Sequence, residues 1–231
     1  MDRRVLILDG AIDRDFYRPV EHWARHFDDV EYDAVHLPSG EAVPPLDGYT
    51  HVIVTGSEAS IVERSPWFDV MAQAVRDAAA RDLSILGSCF GHQMLVTALS
   101  GPEYVRRATV PEVGWIRIEM ISEDPLFADA PKAWHALGLH FDEAVDPPPP
   151  WRVLATSEAC VVEVIRYGDR PIWRIQPHPE IEPQEAKSLL RGAASGMPDQ
   201  AEVLLAALRQ PIRDDETTPE IVKRFLESEP S

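Results

Sequence analysis

The sequence predicts an α/β fold with a mostly parallel central sheet flanked by helices, on three observations. Short apolar runs at residues 5–8, 51–55 and 83–87 lack the alternation of half-exposed strands, which is typical of strands covered on both faces. Ser65 and Pro66 can begin a helix that continues with helical periodicity to residue 80, between the last two runs. Strand, helix and strand at this spacing indicate parallel strands joined by a helical crossover.

The middle of the chain changes character and predicts a peripheral antiparallel strand region. Several of its runs alternate polar and apolar residues, and we expect strands at 104–107, 115–118, 153–155, 161–164 and 172–175. Helices are expected at about 183–194, around 201–208 and from about residue 218. No internal repeat and no linker interrupts the 231 residues. The sequence therefore predicts one domain over residues 1–231, with a C-terminal helical segment from about residue 196.

Composition excludes several classes of function. The formal net charge of -17 argues against a nucleic-acid-binding protein, because contacts to phosphates require clustered lysine and arginine. With only Cys89 and Cys160 present, a disulfide framework is not expected and a reducing compartment is the simpler interpretation. The first apolar run is too short for a signal-peptide core, and no stretch approaches the roughly 18 apolar residues of a membrane span. We therefore expect a cytoplasmic protein with neither nucleic-acid nor membrane partners.

One segment, residues 85–95, sets a cysteine between a strand and a helix. A buried apolar run leads into Cys89, an apolar helix follows it, and glycines stand two positions before and two after it. This arrangement is typical of a nucleophile elbow, where a tight turn exposes the side chain and its neighbours must be small. The amino terminus of a helix also favours a thiolate, because the helix dipole and free N–H groups stabilise an anion. Cys89 is the candidate nucleophile, whereas Cys160 is expected in the core.

A second segment, residues 175–180, ends a predicted strand at a histidine that lies between two prolines. Glu180 follows His178 by two positions, and in extended backbone such residues share a face. The prolines restrict the backbone and stiffen the segment. A carboxylate in this place can hold an imidazole in one tautomer, as the third member of a catalytic triad does. Paired with the cysteine elbow, the segment predicts a base and its orienting group.

With both segments in view, the sequence resembles the class I glutamine amidotransferases, above all free-standing members similar to the glutaminase part of GMP synthase and to γ-glutamyl peptidases. The nucleophile motif of that family, G-x-C-x-G-x-Q, is matched by Gly87, Cys89, Gly91 and Gln93. Its H-P-E motif is matched by His178, Pro179 and Glu180. Supporting segments are the oxyanion loop at 54–60, an E-V-G-W segment at 112–115 and an H-x-D-E segment at 140–143. The resemblance covers residues from about 50 to 182 and implies a flavodoxin-like architecture.

The resemblance also implies a mechanism. Cys89 would attack the side-chain amide carbonyl of glutamine, with His178 as base and then acid, and with Glu180 orienting the imidazole. Water would then hydrolyse the γ-glutamyl thioester after ammonia has left. The backbone N–H groups of Gly56 and Phe90 would form the oxyanion hole. Phe90 also argues against the related PfpI-like proteins, which have histidine directly after the nucleophile.

Further site residues follow from the same resemblance. Gln93 would help to hold the substrate, and His140 and Asp142 are expected to line the edge of the site, with an ordinary polar loop as the alternative for these two. No cofactor is expected. No metal is expected either, because His135 and His140 are five positions apart, which fits no common ligand spacing, and the sequence contains no C-x-x-C.

Three functions remain open from the sequence. The first is a glutaminase that supplies ammonia to a separate synthetase, since the chain has no glycine-rich phosphate loop ending in Gly-Lys. The second is a stand-alone hydrolase of γ-glutamyl peptides or amides, which would need no partner. The third is a non-catalytic regulatory or binding relative. The intact Cys, His and Glu disfavour the third, and sequence hardly separates the first two.

Overall fold

A computed structural model describes residues 3–213, 215 and 217–229, so the ends of the predicted domain, residues 1, 2, 230 and 231, lie outside the described residues. Within this part of the chain, nine strands form one sheet in the order β2-β1-β3-β4-β9-β8-β7-β5-β6. Their bounds are Arg4–Asp9 (β1), Glu31–His36 (β2), His51–Val54 (β3), Ser84–Ser88 (β4), Val105–Met120 (β5), Ala133–Ala144 (β6), Trp151–Thr156 (β7), Val164–Tyr167 (β8) and Ile172–Ile175 (β9).

Five strands at one side of the sheet, β2, β1, β3, β4 and β9, run parallel to each other. Their register places the carboxyl ends of β3, β4 and β9 at one edge, where Val54 pairs with Gly87 and Ser88 pairs with Ile175. The remaining neighbours, from β9 to β6, are antiparallel. The predicted α/β sheet with an antiparallel peripheral region is confirmed.

Helices cover the sheet and continue to the C-terminal part of the chain. Their bounds are Pro19–Ala24 (α1), Pro66–Ala80 (α2), Phe90–Leu99 (α3), Pro183–Gly196 (α4), Ala201–Ala207 (α5) and Thr218–Glu227 (α6). Two apolar clusters fill the two faces of the sheet: one packs α2 and α3 against it, and the other includes Trp23, Trp173 and Phe225. In the described part of the chain, none of these helices is long and apolar enough to cross a membrane.

Three predictions about local structure need correction. The strand expected at 161–164 is mostly loop, because the backbone turns at Ser157, whose N–H bonds the carbonyl of Cys160, and β8 begins only at Val164. The two strands expected at 104–107 and 115–118 are parts of one long strand, β5, with an irregularity between Arg107 and Glu112. Ser65 does occupy the N-cap of α2, but its side chain makes no capping bond.

Candidate active site

A cavity of about 140 Å³ lies beyond the carboxyl ends of the parallel strands. Such an edge is where open α/β sheets bind ligands, because the loops that follow the strands converge there. Three polar side chains predicted to be catalytic or to bind substrate reach this cavity from different elements: Cys89 after β4, His178 after β9 and Gln93 on α3. The fold thus brings together residues that lie about ninety positions apart in the sequence.

Cys89 occupies a sharp turn between β4 and α3. Its backbone has φ 48° and ψ -109°, a conformation that costs free energy for any residue with a side chain. The flanking glycines are required by space: a Cβ on Gly91 would overlap the carbonyl oxygen of Val54, and one on Gly87 would lie 2.7 Å from the carbonyl oxygen of Gly91. The turn leaves Cys89 as the N-cap residue of α3, with its Sγ 3.6 Å from the carbonyl oxygen of Leu139.

His178 is fixed by its backbone and by one carboxylate. Its N–H donates to the carbonyl oxygen of Leu137 on β6 at 2.8 Å, which ties the end of β9 across the cavity. Its Nδ1 lies 2.8 Å from Oε1 of Glu180, and both side chains are buried. Because that oxygen accepts a hydrogen bond from Nδ1, the Nε2 atom is left to face the cavity. This is the arrangement in which a carboxylate orients a catalytic imidazole.

The charges around His178 favour its protonated form. Burial alone would lower the pKa of His178, but the negative charges of Cys89 and Glu180 outweigh burial and raise this pKa well above its ordinary value. A thiolate and an imidazolium that stabilise each other are the starting state of a cysteine hydrolase. Cys89 and His178 also line the same cavity.

Gly56 and Phe90, the predicted oxyanion donors, directly follow the loop residue Thr55 and the turn residue Cys89. Phe90 is the first residue of α3, and the N–H groups of a first helical turn have no partner within the helix. Gly56 follows β3, and its neighbour Thr55 bonds the carbonyl oxygen of Gly56 and accepts from the N–H of Gly10. A Cβ on Gly56 would overlap the hydroxyl of Tyr17 and lie 2.8 Å from Cε1 of His178. Only glycine allows the backbone so close to the imidazole.

Gln93 reaches the cavity wall, but its amide nitrogen is engaged by the protein. Nε2 donates to the carbonyl oxygen of Asp142 at 2.7 Å and to Oε1 of Gln176 at 3.2 Å. The side chain is almost fully buried. Gln93 therefore connects α3 to the end of β6 and to the segment after β9, in addition to lining the cavity.

His140 and Asp142 lie on β6, in contrast to the loop that was their alternative. The carboxylate of Asp142 accepts from the hydroxyl of Ser60 at 2.6 Å and from the N–H of Ile61 at 3.0 Å, so it anchors the loop after β3. His140 directs Nδ1 to the carbonyl oxygen of Asp142 at 3.1 Å and Nε2 to Oε2 of Glu112 at 3.0 Å. Both side chains are close to the cavity, and both are occupied with protein partners.

Tyr17 is a site residue that the sequence did not reveal. Its hydroxyl donates to Oε1 of Glu180 at 3.3 Å, and its ring lies edge-on to that of His178 with 5.9 Å between centroids. Burial, followed by the negative charge of Glu180, raises the pKa of Tyr17 well above its ordinary value and keeps the hydroxyl protonated as a donor. The residue belongs to the irregular segment between β1 and α1, where no spacing or motif marks it.

Part of the cavity lining is apolar and comes from the segment after β1, from β6 and from the α4 region. Its members share aliphatic or aromatic side chains and are Phe16, Leu139, Phe141, Leu189, Ala193 and Met197. A Cβ on Gly192 would lie 2.5 Å from the ring of Phe16, so α4 packs closely on the loop after β1. The lining also contains polar side chains besides the predicted site residues, among them Glu58, Arg107 and Gln200.

One group of side chains could hold a metal ion by its spacing. Ligand atoms of Glu112, His140 and Glu163 lie within 4.8 Å of one another, and all three residues are buried. The sequence led us to expect no metal, because the spacing of His135 and His140 fits no ligand pattern; in the structure, Nδ1 of His135 lies 3.0 Å from Asp215. The spacing of the buried group comes from pairing between distant strands, which no sequence motif encodes.

Sequence comparison connects the chain to a known protein family. The family model of class I glutamine amidotransferases matches residues 15–193. A relative from Sulfolobus acidocaldarius, a glutamine-hydrolysing GMP synthase subunit, is 30% identical over 160 residues, which cover 68% of this chain and 82% of the relative. The protein of the same name from Methanothermobacter thermautotrophicus is 31% identical over 147 residues, covering 64% of this chain and 77% of the relative.

Two solved structures share the fold. A glutamine amidotransferase from Thermotoga maritima has a TM-score of 0.78 at 21% identity, covering 98% of this chain and 96% of its own. A glutamine amido transferase from Methylobacillus flagellatus has a TM-score of 0.76 at 17% identity, and the match covers 98% of this chain and 95% of that protein. The family match over most of the chain and the relative that is 30% identical show that the chain belongs to the class I glutamine amidotransferase family.

Proposed function

We propose that this protein hydrolyses the side-chain amide of glutamine through a γ-glutamyl thioester on Cys89. One observation carries the proposal. A cysteine held in a strained turn at the start of a helix shares a cavity with an imidazole that a buried carboxylate orients. Strain of this kind persists only where the surrounding structure imposes it, and it is frequent at catalytic nucleophiles.

The chemistry starts from the Cys89 thiolate and the His178 imidazolium. The sulfur attacks the δ-carbonyl carbon, a C–S bond forms, and the carbonyl electrons move to oxygen, where the N–H groups of Gly56 and Phe90 can donate. As the tetrahedral intermediate collapses, the C–N bond breaks and the imidazolium gives its proton to the departing ammonia. Neutral His178 then takes a proton from water, whose oxygen attacks the thioester. The C–S bond breaks, glutamate leaves, and the thiolate–imidazolium pair is restored.

The oxyanion donors and Glu180 have separate contributions in this proposal. Loss of one oxyanion donor costs about 2.7–4 kcal/mol of transition-state stabilisation in a well-studied protease. Glu180 does not take up the proton; it holds His178 in the tautomer whose Nε2 faces the substrate.

Gln93, His140 and Asp142 are proposed to shape the substrate site. The amide nitrogen of Gln93 is bonded to the chain, which leaves its oxygen as the group for substrate contact. His140 and Asp142 have their polar atoms engaged by Glu112, Ser60 and Ile61. We therefore propose that these two position the cavity wall and the loop after β3.

The partner of the reaction is proposed from the relatives. Proteins similar to this chain are named as one lettered subunit of a glutamine-hydrolysing GMP synthase, a name that implies a second subunit. We propose that ammonia from this site passes to a separate synthetase, and that the protein works in the cytoplasm. Its charge of -17 suits a soluble enzyme without nucleic-acid or membrane partners.

A second candidate function is favoured by the apolar side chains in the cavity lining. Ammonia offers nothing for aliphatic and aromatic side chains to contact, whereas the amine part of a γ-glutamyl amide or peptide does. The apolar lining residues, among them Phe16 and Met197, would suit a leaving amine with an apolar substituent. A stand-alone γ-glutamyl amide hydrolase is therefore the alternative. The strained cysteine elbow speaks against a purely regulatory or binding role.

The test compares Cys89→Ala with Cys160→Ala on the purified protein. Cys160 is buried away from the cavity, so its variant should keep glutamate release from glutamine and labelling by a γ-glutamyl diazo-ketone. Cys89→Ala should lose both. Full hydrolytic activity in Cys89→Ala would contradict the assignment of the nucleophile.

The same preparation separates the two functions. Steady hydrolysis of γ-glutamyl amides with apolar amines, at kcat/KM above that for glutamine, would favour the stand-alone hydrolase. Slow hydrolysis of glutamine that accelerates when a separate synthetase is added would favour the ammonia-supplying role.

A further inference from the structure

A buried group of three titratable side chains lies behind the cavity wall. Glu112 on β5 pairs in register with His140 on β6, and Glu163 stands directly before β8. All three are less than a tenth exposed, and their ligand atoms lie within 4.8 Å of each other. Two carboxylates so close in a dry environment repel each other strongly, so a proton or a cation must offset one of the charges.

The hydrogen bonds show which carboxyl group carries the negative charge. Glu112 accepts from the hydroxyl of Ser157 at 2.6 Å through Oε1 and from Nε2 of His140 at 3.0 Å through Oε2. Glu163 is fully buried, and neither of its oxygens accepts a bond from an N–H or O–H group in the described part of the chain. An ionised carboxylate without donors is costly, whereas a carboxylic acid can itself donate. The carboxylate of Glu112, whose ligand atom lies within 4.8 Å, can accept that proton.

We propose that Glu163 is held as a neutral carboxylic acid that donates a hydrogen bond to Glu112, and that it acts as a positioning residue for the β6 wall of the active site. The catalytic effect of this acid rests on the proposed function. Its protonation state does not depend on that function. Burial and the charge of Glu112 raise the pKa of Glu163 well above its ordinary value. Burial alone would raise the pKa of Glu112, but hydrogen bonds from His140, Glu163 and Ser157 outweigh burial and lower this pKa.

The neutral acid also gives a consistent charge balance. Nδ1 of His140 faces the carbonyl oxygen of Asp142, which can only accept, and Nε2 faces the carboxylate of Glu112. Both ring nitrogens are thus engaged, so His140 has no further N–H group to offer Glu163. A second ionised carboxylate at Glu163 would leave one negative charge without compensation in the interior.

Other charged and titratable groups packed around the three do not supply that compensation. Burial, followed by the charge of Arg174, lowers the pKa of His92 on α3 well below its ordinary value, so this imidazole is neutral. Arg174 itself donates to the carbonyl oxygen of His92 and lies over the ring of Trp151. Burial raises the pKa of Cys160 in the β7–β8 loop, so its thiol is neutral as well. Glu143 on β6 is paired with Arg106.

The group is connected to the catalytic side chains through one strand. His140 bonds the carbonyl oxygen of Asp142, to which the amide of Gln93 also donates. The carbonyl oxygen of Leu139, one residue before His140, lies 3.6 Å from the sulfur of Cys89. Ionisation of Glu163 would drive Glu112 and Glu163 apart and displace this part of β6. The protonated acid therefore keeps this part of β6 in position beside Cys89.

The experiment uses Glu163→Gln and Glu163→Ala in the full chain. Glutamine is neutral and keeps an N–H donor toward Glu112, so Glu163→Gln should keep kcat/KM for glutamine within about threefold of wild type. Glu163→Ala removes the donor and should lower kcat at least tenfold. Activity that is retained in Glu163→Gln but lost in Glu163→Ala is the result expected if Glu163 acts as a neutral donor. A loss in Glu163→Gln as large as in Glu163→Ala would overturn the proposal.

Two readouts do not depend on turnover, so they separate this inference from a failure of the proposed function. Infrared spectra should contain the carbonyl band of a buried carboxylic acid in wild type and lack it in Glu163→Gln. A raised folded-state pKa contributes stability below the unfolded pKa of about 4.5, and this is lost as pH rises. The folding equilibrium constant of wild type relative to Glu163→Gln should therefore fall about tenfold per pH unit above that value.

A metal ion is the competing explanation, and it predicts the opposite. If Zn²⁺ added to wild type binds in a 1:1 ratio and Glu163→Gln abolishes this binding, Glu163 is an anionic ligand and the proposal is wrong. A difference in stability that does not vary with pH would also overturn it. If Cys89→Ala remained active, the reaction assigned above would fail, whereas the infrared and stability results would still report on Glu163.

Discussion

The hydroxyl of Tyr17 donates to the same carboxylate oxygen of Glu180 that accepts from the imidazole of His178. The first bond is 3.3 Å long and the second 2.8 Å. Oε2, the other oxygen of Glu180, is buried and has no hydrogen-bond partner among the described residues. The orientation of this carboxylate therefore depends on the two donors at Oε1, one of which comes from the loop after β1. That loop thus takes part in the geometry of the proposed catalytic groups.

Tyr17→Phe should lower kcat about tenfold with KM for glutamine little changed. A hydrogen bond to a charged group contributes about 1.5–3 kcal/mol, and a bond of this length falls toward the lower end. A difference of about 1.4 kcal/mol corresponds to a factor of ten in rate. Tyr49→Phe is the matched control, because its hydroxyl binds Asp33 at 2.7 Å away from the cavity. Equal kcat values for Tyr17→Phe and wild type would show that Tyr17 does not orient Glu180.

Gly56→Ala should reduce kcat by at least a hundredfold. The added methyl group would overlap the hydroxyl of Tyr17 and press on Cε1 of His178, which displaces either the imidazole or the proposed oxyanion donor. Gly196→Ala serves as the control, since a Cβ there meets nothing within 4 Å and a glycine in a helix is destabilising by about 0.5–1 kcal/mol relative to alanine. Steady-state kinetics and thermal unfolding of both variants provide the measurement. Near-normal turnover in Gly56→Ala would exclude a close approach of this backbone to the reacting groups.

Removal of the thiol should lower the pKa of His178. Burial lowers this pKa, and the charges of Cys89 and Glu180 raise it, so Cys89→Ala leaves burial opposed by Glu180 alone. Titration of the imidazole Cε1–H signal by NMR in wild type and Cys89→Ala gives both values. In wild type, the imidazolium stabilises the fold fully below about pH 6.5, and this contribution is lost as pH rises through the folded-state pKa. The same pKa in both proteins would mean that Cys89 and His178 do not interact.

Local patterns in the sequence were sufficient for the parallel half of the fold. The runs predicted at 5–8, 51–55 and 83–87 became β1, β3 and β4, because strands buried on both faces need apolar residues at every position. The predicted helix at 66–80 has those bounds in the structure. Cys89 was recognisable because its conformation requires small neighbours on both sides, and such a requirement is visible as glycines in the sequence.

Contacts that depend on distant pairing were not visible in advance. β6 is half of a long antiparallel pair with β5, and its residues mix buried and part-buried positions without a clean period. His140 and Asp142 could therefore not be assigned to a strand, nor Glu163 to a group with Glu112. β2 lies at the edge of the sheet and is mostly exposed, so it lacks an apolar pattern. Tyr17 reaches the site from a segment without regular structure, where only tertiary packing determines which side chain is near.

The C-terminal segment allows a test of the proposal that residues 1–231 form one domain. Phe225 of α6 is fully buried, lies 5.0 Å from the ring of His51 on β3, and accepts a bond from Nε2 of that histidine through its carbonyl oxygen. It also packs edge-on against Trp173 of β9. If α6 belongs to the core, the protein should unfold in one cooperative transition. Tryptophan fluorescence and far-UV circular dichroism should then give coincident curves.

Phe225→Ala should shift both curves together and lower the free energy of unfolding by about 3–5 kcal/mol, the usual cost of emptying a buried phenylalanine site. Val203→Ala on α5 is the control, because that side chain is more than a third exposed and its loss should change stability by less than about 1 kcal/mol. The buried ring contacts residues of two central strands, so its loss cannot stay confined to the last helix. A variant in which only a small helical signal melts early, with the tryptophan transition unchanged, would show that α6 is a separate unit.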